Sequence, residues 1–168
     1  MEKALAVVNI LEQEGLIKRY AITGAVAATR YIEPMQTYDL DIFIVLQTPS
    51  SGLISISPVY TYPAKRGYVP QEECIVIEGW PVQFLPVYNP LTAEALEQAA
   101  DVEFGATPTR VINAEYLAAI MLDTGRPKDH ARLLHFLESD VLDTAVLEDI
   151  VERHGLHGKW ENFRRRFL

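Results

Sequence analysis

Cysteine is nearly absent from this chain: Cys74 is the only one in 168 residues. A single cysteine cannot form an internal disulfide, so an apolar core has to hold the fold together, and a chain of this length can bury one. We expect Cys74, which begins the apolar run 74–77, to be a small buried core residue. The lack of disulfides is typical of proteins from a reducing compartment and favours a cytoplasmic location.

Long apolar segments are missing as well. No run approaches the roughly 20 consecutive apolar residues that a membrane-spanning helix needs. The first residues also lack the apolar stretch of a secretory signal. These absences predict that the protein has no membrane partner.

Positive charge is scarce relative to negative charge. The chain has 15 Lys and Arg residues against 23 Asp and Glu residues, which gives a net charge of −8. An excess of negative charge opposes broad nonspecific binding to nucleic acid. The end of the chain differs, because Lys159 and the run 164–166 are basic. This pattern is typical of a solvated helix end, and a contact with RNA or with an acidic partner is the alternative.

The hydrophobic pattern changes near residue 90. Period-two alternation and short apolar runs predict strands in the first half, at 20–24, 38–47, 74–78 and 81–85. Helical patterns dominate the second half. We therefore predict an α+β (mixed α/β) fold, in which a small mixed sheet is flanked by helices and the C-terminal half is helical. Residues 1–90 would form the sheet core and residues 91–168 a mainly helical part packed on it, with a single domain over 1–168 as the alternative.

Local signals mark several of the element ends. Pro34 is expected to end a short helix that follows Gly24, and residues 48–52 are typical of a loop. Thr92 is predicted to be the N-cap of a helix. A later helix is expected to end at Gly125.

Two carboxylates open the clearest strand of the sequence. Asp39 and Asp41 are two positions apart, and alternate residues of a strand share a face, so their side chains should point the same way. Burying two like charges is costly unless a cation compensates for them. Mg²⁺ is suitable, because it is often held by one or two carboxylates together with phosphates. A solvated strand end or a turn cap is the alternative for this pair.

The turn after the preceding strand adds a second signal. Gly24 lies where a strand gives way to a predicted helix, and such a turn exposes backbone N–H groups to which an anion can bind. Thirteen residues separate Ala25 from Asp39. That length allows a short helix and a return to the neighbouring strand, which would bring a phosphate site beside the carboxylate pair.

These residues resemble the signature of the DNA polymerase β-like nucleotidyltransferase superfamily, in which Gly-Gly or Gly-Ser precedes Asp-x-Asp by a similar gap. A second stretch, residues 122–129 followed by a helix with Arg132, Leu133 and Leu134, contains Gly125-Arg126-Pro127-Lys128-Asp129. It is similar to the Gly-Arg-x-Lys-Asp segment of AbiEii-type bacterial nucleotidyltransferase-like proteins. The two features occur in the expected order, and the likeness extends over residues 20–140.

The resemblance implies a nucleotidyltransferase-like sheet and a metal-dependent transfer of a nucleoside monophosphate from a nucleoside triphosphate. It implies that Mg²⁺ or Mn²⁺ is bound by Asp39 and Asp41, and that Lys128 and Asp129 also belong to the catalytic site. The residues implied for nucleotide binding are Thr23, Gly24, Ala25, Arg30 and Arg126. The acceptor stays open between RNA, a protein and a small molecule, and the AbiEii likeness implies an antitoxin partner.

Two positions depart from the family pattern. Ala25 stands where active members carry serine or glycine. Gln83 stands where they carry a third carboxylate, and a neutral amide is a poor ligand for a second metal ion and cannot act as a base. The sequence therefore leaves open a one-metal enzyme, a site completed by a residue such as Asp129, and a catalytically inactive module that binds a nucleotide or a protein. An unrelated α+β domain with a coincidental Asp-x-Asp is a further alternative.

Overall fold

A computed structural model describes residues 1–33, 36–47 and 54–168. The strands in these ranges are β1 Ile17–Ile22, β2 Leu40–Leu46, β3 Val69–Gln71, β4 Cys74–Ile77, β5 Trp80–Pro86, β6 Ala100–Phe104 and β7 Thr107–Val111. The helices are α1 Glu2–Gln13, α2 Gly24–Ala28, α3 Ser57–Ala64, α4 Pro90–Glu97, α5 Ala114–Thr124, α6 Pro127–Glu138, α7 Thr144–Arg153 and α8 His157–Phe167. The helix end predicted at Pro34 and the loop predicted at 48–52 lie outside the described residues.

All seven strands join one mixed sheet in the order β3-β4-β5-β2-β1-β7-β6. Strand β2 runs antiparallel to β1 and parallel to β5, while β1 and β7 are parallel. The neighbours at both edges pair as antiparallel hairpins. This sheet with its flanking helices confirms the predicted mixed α+β fold. Strands β6 and β7 follow residue 90, so the sheet also includes residues from the half that was predicted to be mainly helical.

Strand β2 occupies the middle of the sheet and carries the predicted alternation. Leu40, Ile42 and Ile44 are completely buried on one face. Asp41 and Phe43 belong to the other face, as a period of two requires. The strand begins one residue after Asp39. The carboxylate pair therefore lies at the start of the central strand, where its two flanking strands can position other groups beside it.

The helix after residue 90 begins earlier than the sequence suggested, so the prediction of Thr92 as its N-cap is wrong. The N-cap is Asn89, whose side chain accepts a hydrogen bond of 2.8 Å from the backbone N–H of Thr92. Pro90 is tolerated at the first helical position, because that position needs no N–H donor. The proline therefore starts the helix instead of preceding it.

Helices α5 and α6 follow one another directly in the second half of the chain. Helix α5 ends at Gly125, which adopts a left-handed conformation with φ of 68°, as predicted. Helix α6 begins directly afterwards and packs on α5.

No helix in the described ranges combines the length and apolar character that a membrane crossing requires. Cys74 is only half-buried, because the side chains of Ile75 and Ile77 take the core-facing positions of β4.

Candidate active site

The turn between β1 and α2 lies directly beside β2. The backbone N–H of Thr23 donates to the carbonyl oxygen of Asp41 over 2.9 Å. Gly24 follows with a φ of 64°, and a Cβ at this position would overlap the Asp41 carboxylate. Any other L-residue would therefore meet both backbone strain and a collision. The structure thus brings the glycine turn and the second carboxylate together.

Asp41 is a partly buried acid whose ionisation is disfavoured. Burial is the main cause that raises the pKa of its carboxyl to about 6, and the negative charge of Asp39 adds to the effect. The positive charges of Lys128, Arg126 and Arg132 act in the opposite direction. A nearby cation would favour the ionised form of this carboxyl group.

The two aspartates fit a hard divalent cation as a partial ligand set. Asp39 accepts a hydrogen bond from the Thr37 hydroxyl at 3.2 Å. Its negative charge helps to raise the pKa of Asp41. Within the described residues, no group of three or more His, Cys, Asp and Glu side chains could hold a metal ion. The pair would supply one or two carboxylates to Mg²⁺, and phosphate and water oxygens would complete the ligand set.

A cavity of about 290 Å³ opens beside Asp41. Its polar end contains Asp41, Arg126, Asp129 and Arg132, together with Thr23 and Gly24. The rest of the wall is mostly apolar and is formed by Phe43, Leu85, Pro86, Tyr88, Leu117, Ile120, Met121 and Thr124. An apolar wall with a few convergent polar groups is typical of a small-molecule site. This cavity can accept a ligand that has a flat apolar part and an anionic part.

Asp129 is bound to an arginine through two hydrogen bonds. The Arg126 Nε donates to one carboxylate oxygen over 2.6 Å, and Nη2 donates to the other over 3.2 Å. Only 3% of the Asp129 side chain is exposed, whereas 57% of the Arg126 side chain is exposed. The bidentate contact fixes the plane of the guanidinium. Asp129 therefore positions Arg126 and, in this arrangement, does not complete the ligand set of Asp39 and Asp41.

Four residues implied by the resemblance lie outside the wall of this cavity: Asp39, Ala25, Arg30 and Lys128. Ala25 is the second residue of α2, and Arg30 is exposed beyond the end of that helix at Ala28. The predicted helix between Gly24 and Pro34 would have contained Arg30, but α2 has only five residues. Lys128 is also exposed. Its positive charge nevertheless opposes the rise in the pKa of Asp41, so the two side chains interact electrostatically.

Gln83 lies next to Asp41 in the sheet. The two residues are register partners on the parallel strands β5 and β2. The Gln83 side-chain N–H donates to a carboxylate oxygen of Glu73 over 2.9 Å. Sequence reasoning did not identify Glu73, because it lies in the short turn between β3 and β4, and β3 itself has no clear sequence signal.

A second cavity, of about 480 Å³, lies on the Asp39 side of the pair. Its wall is formed by Tyr38, Asp39, Gln71, Glu72, Glu73, Cys74, Pro81 and Gln83. This wall carries three carboxylates and no Lys or Arg. The two cavities therefore differ in charge. Two arginines balance two aspartates in the first wall, whereas the second wall is negative, so an anionic ligand is repelled less in the first cavity.

Comparisons with known proteins found likeness in structure alone. No protein-family model matches the chain, and no curated protein matches it. An antigenic nucleotidyltransferase-like protein from Paracoccidioides brasiliensis, known from a crystal structure, is 12% identical with a TM-score of 0.57. That alignment covers 94% of this chain and 90% of the other. The antibiotic-resistance factor ANT(2'')-Ia in solution is 13% identical with a TM-score of 0.49, over 99% of this chain and 95% of the other. The mixed sheet and the first of these likenesses show that the chain has a nucleotidyltransferase-like fold.

Proposed function

We propose that the protein transfers a nucleoside monophosphate from a nucleoside triphosphate to an acceptor, with a divalent cation held by Asp39 and Asp41. One observation carries the proposal: the Asp41 carboxylate lies against Gly24 at the polar end of a cavity that also contains Arg126 and Arg132. Carboxylates for a metal, a glycine turn for close approach and arginines for phosphate are the groups that such a transfer needs.

The charge of the two cavities determines how the substrates would be arranged. The triphosphate would bind in the cavity with Arg126 and Arg132, and its base would lie along the apolar wall near Tyr88. The acceptor would approach from the side of Asp39 and Glu73, where a polyanion is repelled. The reacting phosphorus would then lie between the two cavities, beside the aspartate pair.

Each of the site residues would have a separate role in the reaction. Asp39 and Asp41 would hold Mg²⁺ or Mn²⁺, which when bound neutralises charge on the triphosphate. Arg126, positioned by Asp129, would contact the phosphates with the donors that Asp129 leaves free, and Lys128 would add a point charge. The acceptor oxygen would form a bond to the α-phosphorus while the bond to the bridging oxygen breaks and pyrophosphate leaves. Gln83 cannot take the acceptor proton, whereas the Glu73 carboxylate on the same side can.

The segment from Gly125 to Asp129 supports a narrower assignment within this proposal. Its likeness to the Gly-Arg-x-Lys-Asp segment favours an AbiEii-type protein, for which an antitoxin would be the partner. The position of this segment at the cavity agrees with a role in nucleotide binding. The acceptor class is left to experiment between RNA, a protein and a small molecule.

A second candidate function is binding of a nucleotide or a protein partner without turnover. Gln83 favours it, because this neutral side chain is the register partner of Asp41 on the neighbouring strand. Ala25 favours it as well, since active members of the family carry serine or glycine at this position and alanine lacks the hydroxyl of the serine. Both functions use the same cavity, so a binding measurement alone does not separate them.

Label transfer separates the two functions. The protein is incubated with bacterial extract, Mg²⁺ or Mn²⁺ and each of the four NTPs labelled either at the α- or at the γ-phosphate. The proposed transfer predicts α-label, and no γ-label, in RNA, protein or a small molecule, and none with the variant D39N/D41N. Binding of nucleotide without any α-label transfer would contradict the enzyme and support the binding module.

A further inference from the structure

Arg132 lies on the inward face of α6. The buried residues of this helix are Asp129, Leu133 and Phe136. Position 132 falls on the same face, because residues separated by three and four positions along a helix are neighbours. Arg132 itself is partly buried and lines the cavity beside Asp41. A cation therefore occupies a position that the helical pattern would assign to the core.

No hydrogen bond or ion pair within the described structure includes this cation. The Nε atom of Arg132 is buried without a hydrogen-bond partner among the described residues, and the ion pairs found there do not include Arg132. Asp129, one turn earlier on the same helix, is bound to Arg126 instead. The ranges 34–35 and 48–53 contain no Asp or Glu, so no carboxylate of the chain outside the described residues can pair with it.

An uncompensated arginine in a cavity is costly, because a buried charge needs a partner of opposite sign. Asp41 lines the same cavity but forms no ion pair with Arg132 within the described structure. Its carboxylate is the expected metal ligand in the proposed function. An anion from solution would supply the partner that Arg132 lacks, and a phosphate group matches the planar donors of a guanidinium.

We propose that Arg132 binds the β- and γ-phosphates of the nucleoside triphosphate, the part that leaves as pyrophosphate. The inference rests on the proposed function and gives a role to a residue to which the sequence resemblance assigned none. Arg126 is less suited to this contact, because two of its donor groups are occupied by Asp129. Among the described residues, the guanidinium of Arg132 forms no hydrogen bond to a carboxylate, and it lies at the polar end of the cavity.

The test measures binding of three ligands by titration calorimetry in Mg²⁺: ATP, inorganic tripolyphosphate and adenosine. R132M should raise the Kd of both ATP and tripolyphosphate roughly 10- to 100-fold, because a hydrogen-bonded charge pair is lost. The Kd of adenosine should not change. R132K keeps the charge but loses the planar donor set, so an intermediate loss is expected.

A matched control is R164M, which removes the same charge from an exposed arginine paired with Glu161 on α8. Its affinity for all three ligands should equal that of the wild type. The melting temperature of ligand-free R132M should be equal to or above that of the wild type, because the substitution removes an uncompensated charge. A structural role of Arg132 would instead lower it in both R132M and R132K.

The outcomes distinguish this inference from the proposed function. Unchanged tripolyphosphate affinity in R132M, a lower melting temperature in both variants, or a wild type that binds no tripolyphosphate would overturn the role of Arg132. A wild type that transfers α-label while R132M keeps full affinity overturns only the inference. A wild type that binds tripolyphosphate through Arg132 but transfers no label supports the inference and overturns the enzymatic function.

Discussion

Gly24 lies against the carboxylate of Asp41, so closely that a Cβ at position 24 would overlap it. The contact joins two parts of the chain that are far apart in sequence. One is the turn that follows β1, and the other is the start of the central strand β2. Because the turn and the carboxylate share one wall of the cavity, a change at either residue should affect both stability and ligand binding.

The first prediction concerns Gly24→Ala. A left-handed backbone costs roughly 1–2 kcal/mol for an L-residue, and the collision with Asp41 adds a cost of about 1–3 kcal/mol. The free energy of unfolding should therefore fall by about 3 kcal/mol in urea denaturation. Gly155→Ala is the matched control, because Gly155 has a φ of 67° and no atom within 4 Å of an added Cβ. Equal losses in the two variants would show that Asp41 does not restrict position 24.

The second prediction follows from the pKa of Asp41, which is raised from 3.8 to about 6. A carboxyl with a raised folded-state pKa stabilises the fold below its unfolded pKa, and this stability is lost as the pH rises through 6. In EDTA, ionisation should therefore cost at most about 3 kcal/mol between pH 4 and pH 7, and less where water screens the group.

The variant D41N isolates this effect from the other titrating groups. At pH 7 in EDTA it should be more stable than the wild type, and the difference should vanish near pH 4. Added Mg²⁺ with ATP should stabilise only the wild type, because the asparagine is a poorer ligand. A stability difference between wild type and D41N that does not vary with pH would contradict the raised pKa.

The third prediction concerns the pair of Arg126 and Asp129. R126M leaves a buried carboxylate without its partner, which should lower the free energy of unfolding by about 2–3 kcal/mol. D129N retains an acceptor for the arginine and should cost less. In a double-mutant cycle, the loss in R126M/D129N should be smaller than the sum of the two single losses. Additive losses would show that the two side chains do not interact in solution.

The fourth prediction tests the departure at Gln83. Q83D places a third negative charge beside Asp41 on the neighbouring strand and also removes the donor to Glu73. Without metal, the variant should be destabilised by roughly 1–2 kcal/mol through like-charge repulsion. With Mn²⁺ it should recover this stability and bind the metal more tightly than the wild type. A variant that is insensitive to Mn²⁺ would indicate that position 83 does not face the metal site.

Much of the centre of the fold could be predicted from the sequence, because the alternation of Leu40, Ile42 and Ile44 is strong and fully expressed in the buried face of β2. The edges of the sheet were less predictable. Strand β3 has three residues, and β7 contains Pro108. The pairing of β7 with β1 is confined to Ile22 and Val111. Pro108 has no N–H, but at its position β7 does not have to donate a hydrogen bond to β1. A strand that contains proline is hard to predict from residue propensities.

The site was predictable where spacing along one strand or turn determines it, and not where distant elements meet. Gly24 and Asp41 were expected to be neighbours, because the turn after the first strand and the start of the adjacent strand lie at the same edge of the sheet. Arg30 was expected near the phosphates because the run of alanines predicted a longer helix. The structure gives α2 only five residues. No role was predicted for Arg132 or Glu73, because their relation to the cavities depends on how α6 and the β3–β4 turn pack.

The most direct test of the account is a titration of ATP into wild type and D39N/D41N, each with Mg²⁺ and with EDTA. Asp39 and Asp41 are expected to hold the metal that joins the protein to the triphosphate. The account predicts binding for the wild type in Mg²⁺, and binding weakened at least tenfold in EDTA and in the double variant under both conditions. Equal ATP affinity in wild type and D39N/D41N would contradict it.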